Sequence, residues 1–186
     1  GVVTDHSGGR ELPMSREATG VWSIRLNEDL AGKYYMYKVE FADGTVHYAV
    51  DPYARAVAAN GARTAIISLS ETDPDDWDED RKPSFIHPTD AIIYELHVRD
   101  FSINEHSGMT HKGKYLAFTE SGLVDPDGNP LGIDHLVELG ITHVHLLPVY
   151  DFKTINELTS DDPDSDDPKF NWGYDPQNYN VPEGSY

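Results

Sequence analysis

The sequence predicts a partial antiparallel β-sandwich followed by the start of an α/β unit. Three features carry that prediction. Short runs of alternating apolar and polar residues, separated by turn signals, fill residues 20–69. A dense acidic, proline-marked stretch follows over 72–90. Beyond it come a strand-like run, a helix-like run and a second strand-like run.

The first strand is read at 20–26, GVWSIRL, with Trp22, Ile24 and Leu26 on one face and Ser23 and Arg25 on the other. KYYMYKVEF at 33–41 follows a polar turn and aligns Tyr35, Tyr37, Val39 and Phe41. Asp43-Gly44 signals a hairpin, and TVHYAV returns with Val46, Tyr48 and Val50 on one side. Asp51-Pro52 ends that strand, and RTAIISL at 63–69 supplies another. Such sandwiches have about seven strands, so four or five visible ones make a partial module. Tyr34, Tyr37 and Tyr48 read as cross-strand packing, with a sugar platform as the alternative. Past the acidic stretch, DAIIYELHVR at 90–99 is rich in strand formers. Residues 131–140 read as a short helix with an Ile133, Leu136, Val137 stripe and Gly140 just past its end. THVHLLPVYDF at 142–152 is apolar on both faces, as in a strand buried inside a parallel sheet. Together they make a βαβ unit with an expected right-handed crossover. The long connection before the helix and the 153–176 loop both follow strand C-terminal ends, where parallel α/β folds place ligands.

Composition bounds the function. The 186 residues carry a formal charge of −19, a pI near 4.6, 38% hydrophobic residues and 25% charged ones. That charge argues against nucleic acid and anionic membrane as partners and leaves neutral ligands open. The absence of cysteine excludes disulfides and thiolate metal sites. No apolar run is long enough to span a bilayer, and Gly1-Val2-Val3 lacks the pattern of a signal peptide. Acidity and lack of cysteine lean toward an extracellular or cell-surface protein without fixing a compartment.

Several chemistries fail on spacing. His143-x-His145 puts two imidazoles on one strand face, but nothing places a third ligand. Asp125-Pro-Asp127-Gly-Asn129 has Pro130 and Leu136 where a calcium loop needs Gly and Glu, so it reads as a turn. Asp162-Pro-Asp164-Ser-Asp166 fails likewise. There is no phosphate loop, nucleophile elbow or zincin motif. Glu95 and Asp100 do not converge along a strand and are read as structural partners of Arg99. No metal or other cofactor is expected. The distinctive stretch is Asn171-Trp172-Gly173-Tyr174-Asp175-Pro176: flat aromatic faces, a flexible Gly, and a carboxylate held extended by the proline. It suits either sugar recognition or a packed aromatic loop.

Four blocks then occur in a known order: YELHVRDFS at 94–102, HKGKYLAFTE at 111–120, GITHVHLLPVYDF at 140–152 and NWGYDPQNYNVPEGSY at 171–186. They resemble the type I pullulanases, debranching enzymes of the α-amylase superfamily. Residues 20–53 are similar to the later part of the starch-enzyme β-sandwich that precedes the barrel in that family. Phe170 stands where Tyr is usual, and His145 where Gln is common. Branching enzymes share the architecture, but Asp175-Pro176 favours debranching. The resemblance implies a partial sandwich at 1–72, an acidic linker at 73–89, and the first two βα units of a (β/α)8 barrel at 90–186. A full barrel needs about 250 residues, so an N-terminal fragment is expected. The implied activity is retaining hydrolysis of α-1,6 branch linkages in pullulan, starch or glycogen, by two carboxylates about 5 Å apart. Those carboxylates lie on later strands, so no catalytic residue is expected in this chain. By the same resemblance Tyr174 stacks on the glucose at the cleaved position, Asp175 sits in that subsite, and Trp172 is a packing anchor. The expected partners are an α-glucan and the rest of the same enzyme, as a second chain or a downstream segment. A branching transferase and a non-catalytic carbohydrate-binding module remain as alternatives.

Overall fold

The computed structural model describes residues 9–186. The reading of Gly1-Val2-Val3 and the beginning of the 1–72 unit lie outside the described residues. The first part is built of small antiparallel sheets of two strands each. Strand β1 (Ser15–Arg16) pairs with β2 (Trp22–Ser23). β3 (Tyr34–Tyr35) and β4 (Tyr37–Glu40) are separated by Met36 alone. β4 pairs with β5 (Val46–Ala49), in the register Tyr37↔Ala49 to Glu40↔Val46. β3 instead pairs with β6 (Thr64–Ala65). The hairpin expected at Asp43-Gly44 is there. Asp43 Oδ1 accepts from the Thr45 N–H at 2.9 Å, and the Phe41 N–H donates to the Thr45 carbonyl at 2.9 Å. Met36 splits the single strand read over 33–41 into two that serve different sheets.

The expected buried face of 20–26 is not realised. Trp22 and Ile24 are 58% and 42% exposed, and only two residues of that run pair. Alternation marks which side chains share a face; it does not supply the layer that covers them. Beside the buried Ala54, the module holds a half-buried polar centre. The Tyr35 and Tyr37 hydroxyls both donate to Asp51 Oδ2, the latter at 3.1 Å, and the Asp51 N–H donates to Thr64 Oγ1 at 2.8 Å. Burial works to raise Asp51, but these hydroxyls and the Tyr53 N–H outweigh it and hold the carboxyl below its ordinary value. Residues 71–90 are exposed throughout and contain two single 3-10 turns, Trp77–Glu79 and Pro88–Asp90.

β7 (Ile93–Leu96) opens the second part. The strand read through Arg99 stops at Leu96, because His97 caps a short helix, α1 (Val98–Ser102). The connection that follows forms a core. Val98, Met109 and Ala117 are almost wholly buried, and Phe101 stacks on Phe118 at 4.2 Å with rings 4° from parallel. Each large apolar side chain so buried is worth about 1.5–3 kcal/mol. α2 (Ile133–Glu138) buries Leu136 but leaves Val137 70% exposed, so the expected stripe narrows to Ile133 and Leu136. Gly140 ends it at φ +72°, with its N–H bonded to the Val137 carbonyl and the Ile141 N–H to that of Leu136.

The run 142–152 is two strands. β8 (His143–Leu146) lies parallel to β7, in the register Ile93↔His143 to Leu96↔Leu146. β9 (Tyr150–Phe152) pairs antiparallel with β10 (Pro176–Pro182), a strand the sequence pattern did not announce. Pro148 interrupts the run because it offers no N–H to a ladder. Strand, helix, parallel strand is therefore present. Burial on both faces is not: Ile93, Tyr94 and Val144 are 64%, 40% and 39% exposed. Among the described residues no helix is long and apolar enough to cross a membrane.

Candidate functional site

The loop 171–176 is fixed from three sides. First, His97 is buried at the end of β7, and its Nδ1 accepts from the Asp100 N–H at 3.3 Å. That leaves the ring proton on Nε2, which lies 2.8 Å from the Asn171 carbonyl oxygen and 2.9 Å from the Tyr186 hydroxyl. Second, the Asn171 side chain folds back over its own loop. Its Oδ1 accepts from the Gly173 N–H at 2.7 Å, and its Nδ2 donates to Asp175 Oδ1 at 2.8 Å and to Thr154 Oγ1. Third, Gly173 sits at φ +87° against the backbone of Pro148, at the break between β8 and β9.

Asp175 is therefore oriented rather than free. Asn171 holds one carboxylate oxygen, and the Thr154 hydroxyl holds the other at 3.0 Å. Tyr174, its neighbour, is 70% exposed. Trp172 is 60% exposed and meets Phe170 edge-on at 5.8 Å, so it is an open face rather than the packing anchor expected. Open aromatic faces beside an oriented carboxylate can stack on a sugar ring and accept its hydroxyls. The sequence singled out Tyr174 and Asp175 within the stretch that Asn171 opens; it missed Thr154 and His97, and did not give Asn171 its tethering role. A histidine set between Leu96 and Val98 was the available signal.

The two histidines read as a weak metal pair are engaged separately. His143 Nδ1 is 2.8 Å from Thr142 Oγ1 and its ring meets Phe85, while His145 Nδ1 is 3.5 Å from Glu95 Oε2. Glu95 thus pairs with His145, not with Arg99; Arg99 lies 3.7 Å from Asp100. Asp125 closes the turn expected there, accepting from the N–H groups of Asp127 and Asn129.

A second polar centre is built from β9 and the segments that follow β9 and β10. Asp151 and Glu183 are each 1% exposed, and together with Glu157 they bring carboxylate oxygens within 4.8 Å of one another. Sequence reasoning missed this centre. An aspartate between Tyr150 and Phe152 was its one trace. Burial and the charge of Glu183 also raise the hydroxyls of Tyr115 and Tyr186, whose rings meet at 5.6 Å.

Residues 2–54 match the family carbohydrate-binding module 48 (isoamylase N-terminal domain). Along 97% of its length the chain is 41% identical to the pullulanase of Bacillus subtilis (strain 168), of which it spans 24%. It is 37% identical to pullulanase 1, chloroplastic, of Arabidopsis thaliana, over 95% of the chain and 21% of that protein. Among solved structures, the apo pullulanase of Paenibacillus barengoltzii superposes with a TM-score of 0.88 at 51% identity, over 95% of this chain and 26% of that one. The same enzyme in complex with maltohexaose and α-cyclodextrin also gives 0.88 at 51%, over 95% and 27%. The pullulanase of Bacillus acidopullulyticus gives 0.87 at 47%, over 98% and 22%. The chain thus spans about a quarter of the relatives it matches, and the module it carries is of the β-sandwich type.

Proposed function

We propose, for a chain that is pullulanase-type in sequence and structure along nearly its whole length, that it supplies half of a glucose subsite in an α-1,6-glucan debranching hydrolase. In this reading residues 1–72 are the carbohydrate-binding sandwich, 73–89 a linker, and 90–186 the first two βα units of a (β/α)8 barrel. Tyr174 stacks on the sugar, and Asp175 accepts its hydroxyls. The nucleophile and the acid come from outside these residues, so the chain alone hydrolyses nothing.

The observation that carries the reading is the 171–176 loop, with exposed Tyr174 beside an Asp175 tethered by Asn171 and Thr154. The loop follows β8 and β9, at the strand ends where parallel α/β folds place ligands. The parallel pair β7–β8 with apolar residues open to solvent supports a barrel start, since further strands and helices would cover Ile93 and Val144. The match of residues 2–54 favours a second reading, a carbohydrate-binding module without a catalytic partner.

Pullulan hydrolysis by the complete debranching enzyme decides between them. Tyr174→Ala is expected to lower kcat/KM for maltotriose release by about two- to tenfold, the loss of one stacked aromatic. Unchanged turnover would refute the stacking role. A natural protein no longer than this chain, which binds maltooligosaccharides and releases none, would favour the second reading.

A further inference from the structure

We propose that the turn at 59–61 and the loop after β9 are joined by a proton-linked latch, in which Asp151 shares one proton with Glu157 and the junction closes while that proton is held. The turn and the loop are almost a hundred residues apart in the chain, and their contact is reciprocal. The Asn60 N–H donates to Glu157 Oε2 at 2.6 Å, and the Glu157 N–H donates to Asn60 Oδ1 at 2.8 Å. Asn60 Nδ2 adds a bond to Asn156 Oδ1 at 3.0 Å. To make these bonds Asn60 takes a left-handed conformation, φ 59° and ψ 28°, which an asparagine tolerates and most residues do not. Glu157 also reaches onward: its Oε1 accepts from the Gly184 N–H at 2.9 Å. One carboxylate therefore ties the 59–61 turn to the segment after β10.

The hydrogen bonds locate the proton. Backbone N–H groups occupy both oxygens of Glu157, and both of Glu183, which accept from Phe152 and Ser185 at 3.0 Å each. Such donors favour the ionised form. Asp151 meets a side-chain amide instead, Asn178 Nδ2 at 2.6 Å from its Oδ2. Three negative charges within 4.8 Å, two of them on buried groups, repel one another. The proton that relieves this costs least on Asp151, whose hydroxyl then donates to Glu157. The titratable groups facing Asp151 are Glu157 on the loop and Glu183 after β10; the hydroxyls of Tyr115 and Tyr186 face Glu183.

Burial, reinforced by the charges of Glu157 and Glu183 and opposed by the Asn178 bond, pushes Asp151 up from 3.8 to about 6. Glu183 is raised as well, burial leading. The closed junction therefore holds a proton that the open one releases to solvent. A raised carboxyl contributes stability at low pH that is lost as pH rises through about 6. The latch is tighter in mild acid and looser above neutrality.

Amide hydrogen exchange at Asn60, Glu157 and Gly184 in the 186-residue chain, corrected for the intrinsic rate at each pH, reads the opening. From about pH 5 to about pH 8 the opening constant is expected to rise about tenfold, given a carboxyl at its ordinary value when open and raised when closed. Asp151→Asn keeps an acceptor for Asn178, gives Glu157 an N–H, and does not titrate, so its opening should rise much less than the wild type's over that range, with only the raised Glu183 left to contribute. A flat wild type, or a variant as steep as the wild type, overturns the proposal. Should the variant not fold, the carboxyl carbon of Asp151 in the wild type decides: a midpoint near the ordinary value overturns the latch, and one near 6 supports it.

Discussion

Replacing Gly173 by alanine tests the construction of the 171–176 loop. Two costs act at that position. At φ +87° an L side chain is strained, by about 1–2 kcal/mol for a left-handed residue. The new Cβ would also meet Pro148: its Cβ at 2.9 Å, its carbonyl carbon at 3.0 Å and its carbonyl oxygen nearer still. Two of those atoms are backbone, so no side chain can swing aside, and overpacking of this kind adds about 1–3 kcal/mol. Gly140→Ala is the matched control. Its φ is +72°, but nothing lies within 4 Å of the Cβ it would gain, so it carries the strain alone. Urea unfolding followed by circular dichroism should place Gly173→Ala about 3 kcal/mol below wild type and Gly140→Ala about 1 kcal/mol below, with the m-value unchanged. Because the Gly173 N–H is bonded to Asn171 Oδ1, the shift should also loosen the Asn171–Asp175 bond and weaken the proposed sugar subsite. Equal losses in the two variants, within about 0.5 kcal/mol, would show that Pro148 does not confine the loop and refute the reasoning.

Ser102→Ala removes a hydroxyl that is wholly buried and accepts from the Gly113 N–H at 2.7 Å; equilibrium unfolding should register a loss of about 1–3 kcal/mol, and a neutral result would mean the Gly113 amide finds another partner. Tyr35→Phe takes one hydroxyl from Asp51, at a cost of about 1 kcal/mol. Because Asp51 is held low in the folded protein, its contribution is complete above the ordinary carboxyl value and lost as pH falls through the lowered one; the variant should move its titration midpoint upward, and an unmoved midpoint in a carboxyl NMR titration would exclude the bond as a cause.

Turns and caps were the most legible part of the sequence. Asp43-Gly44, the Asp125 turn and Gly140 stand where local chemistry put them, because each depends on neighbours within a few residues. The parallel strand–helix–strand unit was legible from its apolar runs. Pairing partners were not. Nothing local tells β3 to leave the β4–β5 hairpin and join β6, or announces β10, whose ladder slips between Pro176 and Asn178 and again before Pro182. Burial failed where it depends on a second layer, as at Trp22, Val137 and Val144. Of the site, the aromatic–carboxylate loop was visible because it is contiguous. Thr154 and His97, and the Asp151–Glu157–Glu183 cluster, are assembled from distant segments, and a lone polar residue among apolar neighbours marks a member of such a contact without naming its partners.

The irregularity of β10 has a consequence for self-association. Pro176 and Pro182 close it at both ends, Asn180 turns left-handed within it at φ 63°, and its ladder slips twice. A second chain arriving at that outer edge finds missing donors and a backbone that bends out of line, so β10 is a poor template for cross-strand recruitment. β7 and β8 offer the opposite: an unbroken four-residue register whose outer rims pair with no third strand among the described residues, with Ile93, Tyr94 and Val144 exposed. If copies of this chain clump at high concentration, the contact begins at the β7–β8 rim, and a lysine at Ile93 would keep them apart.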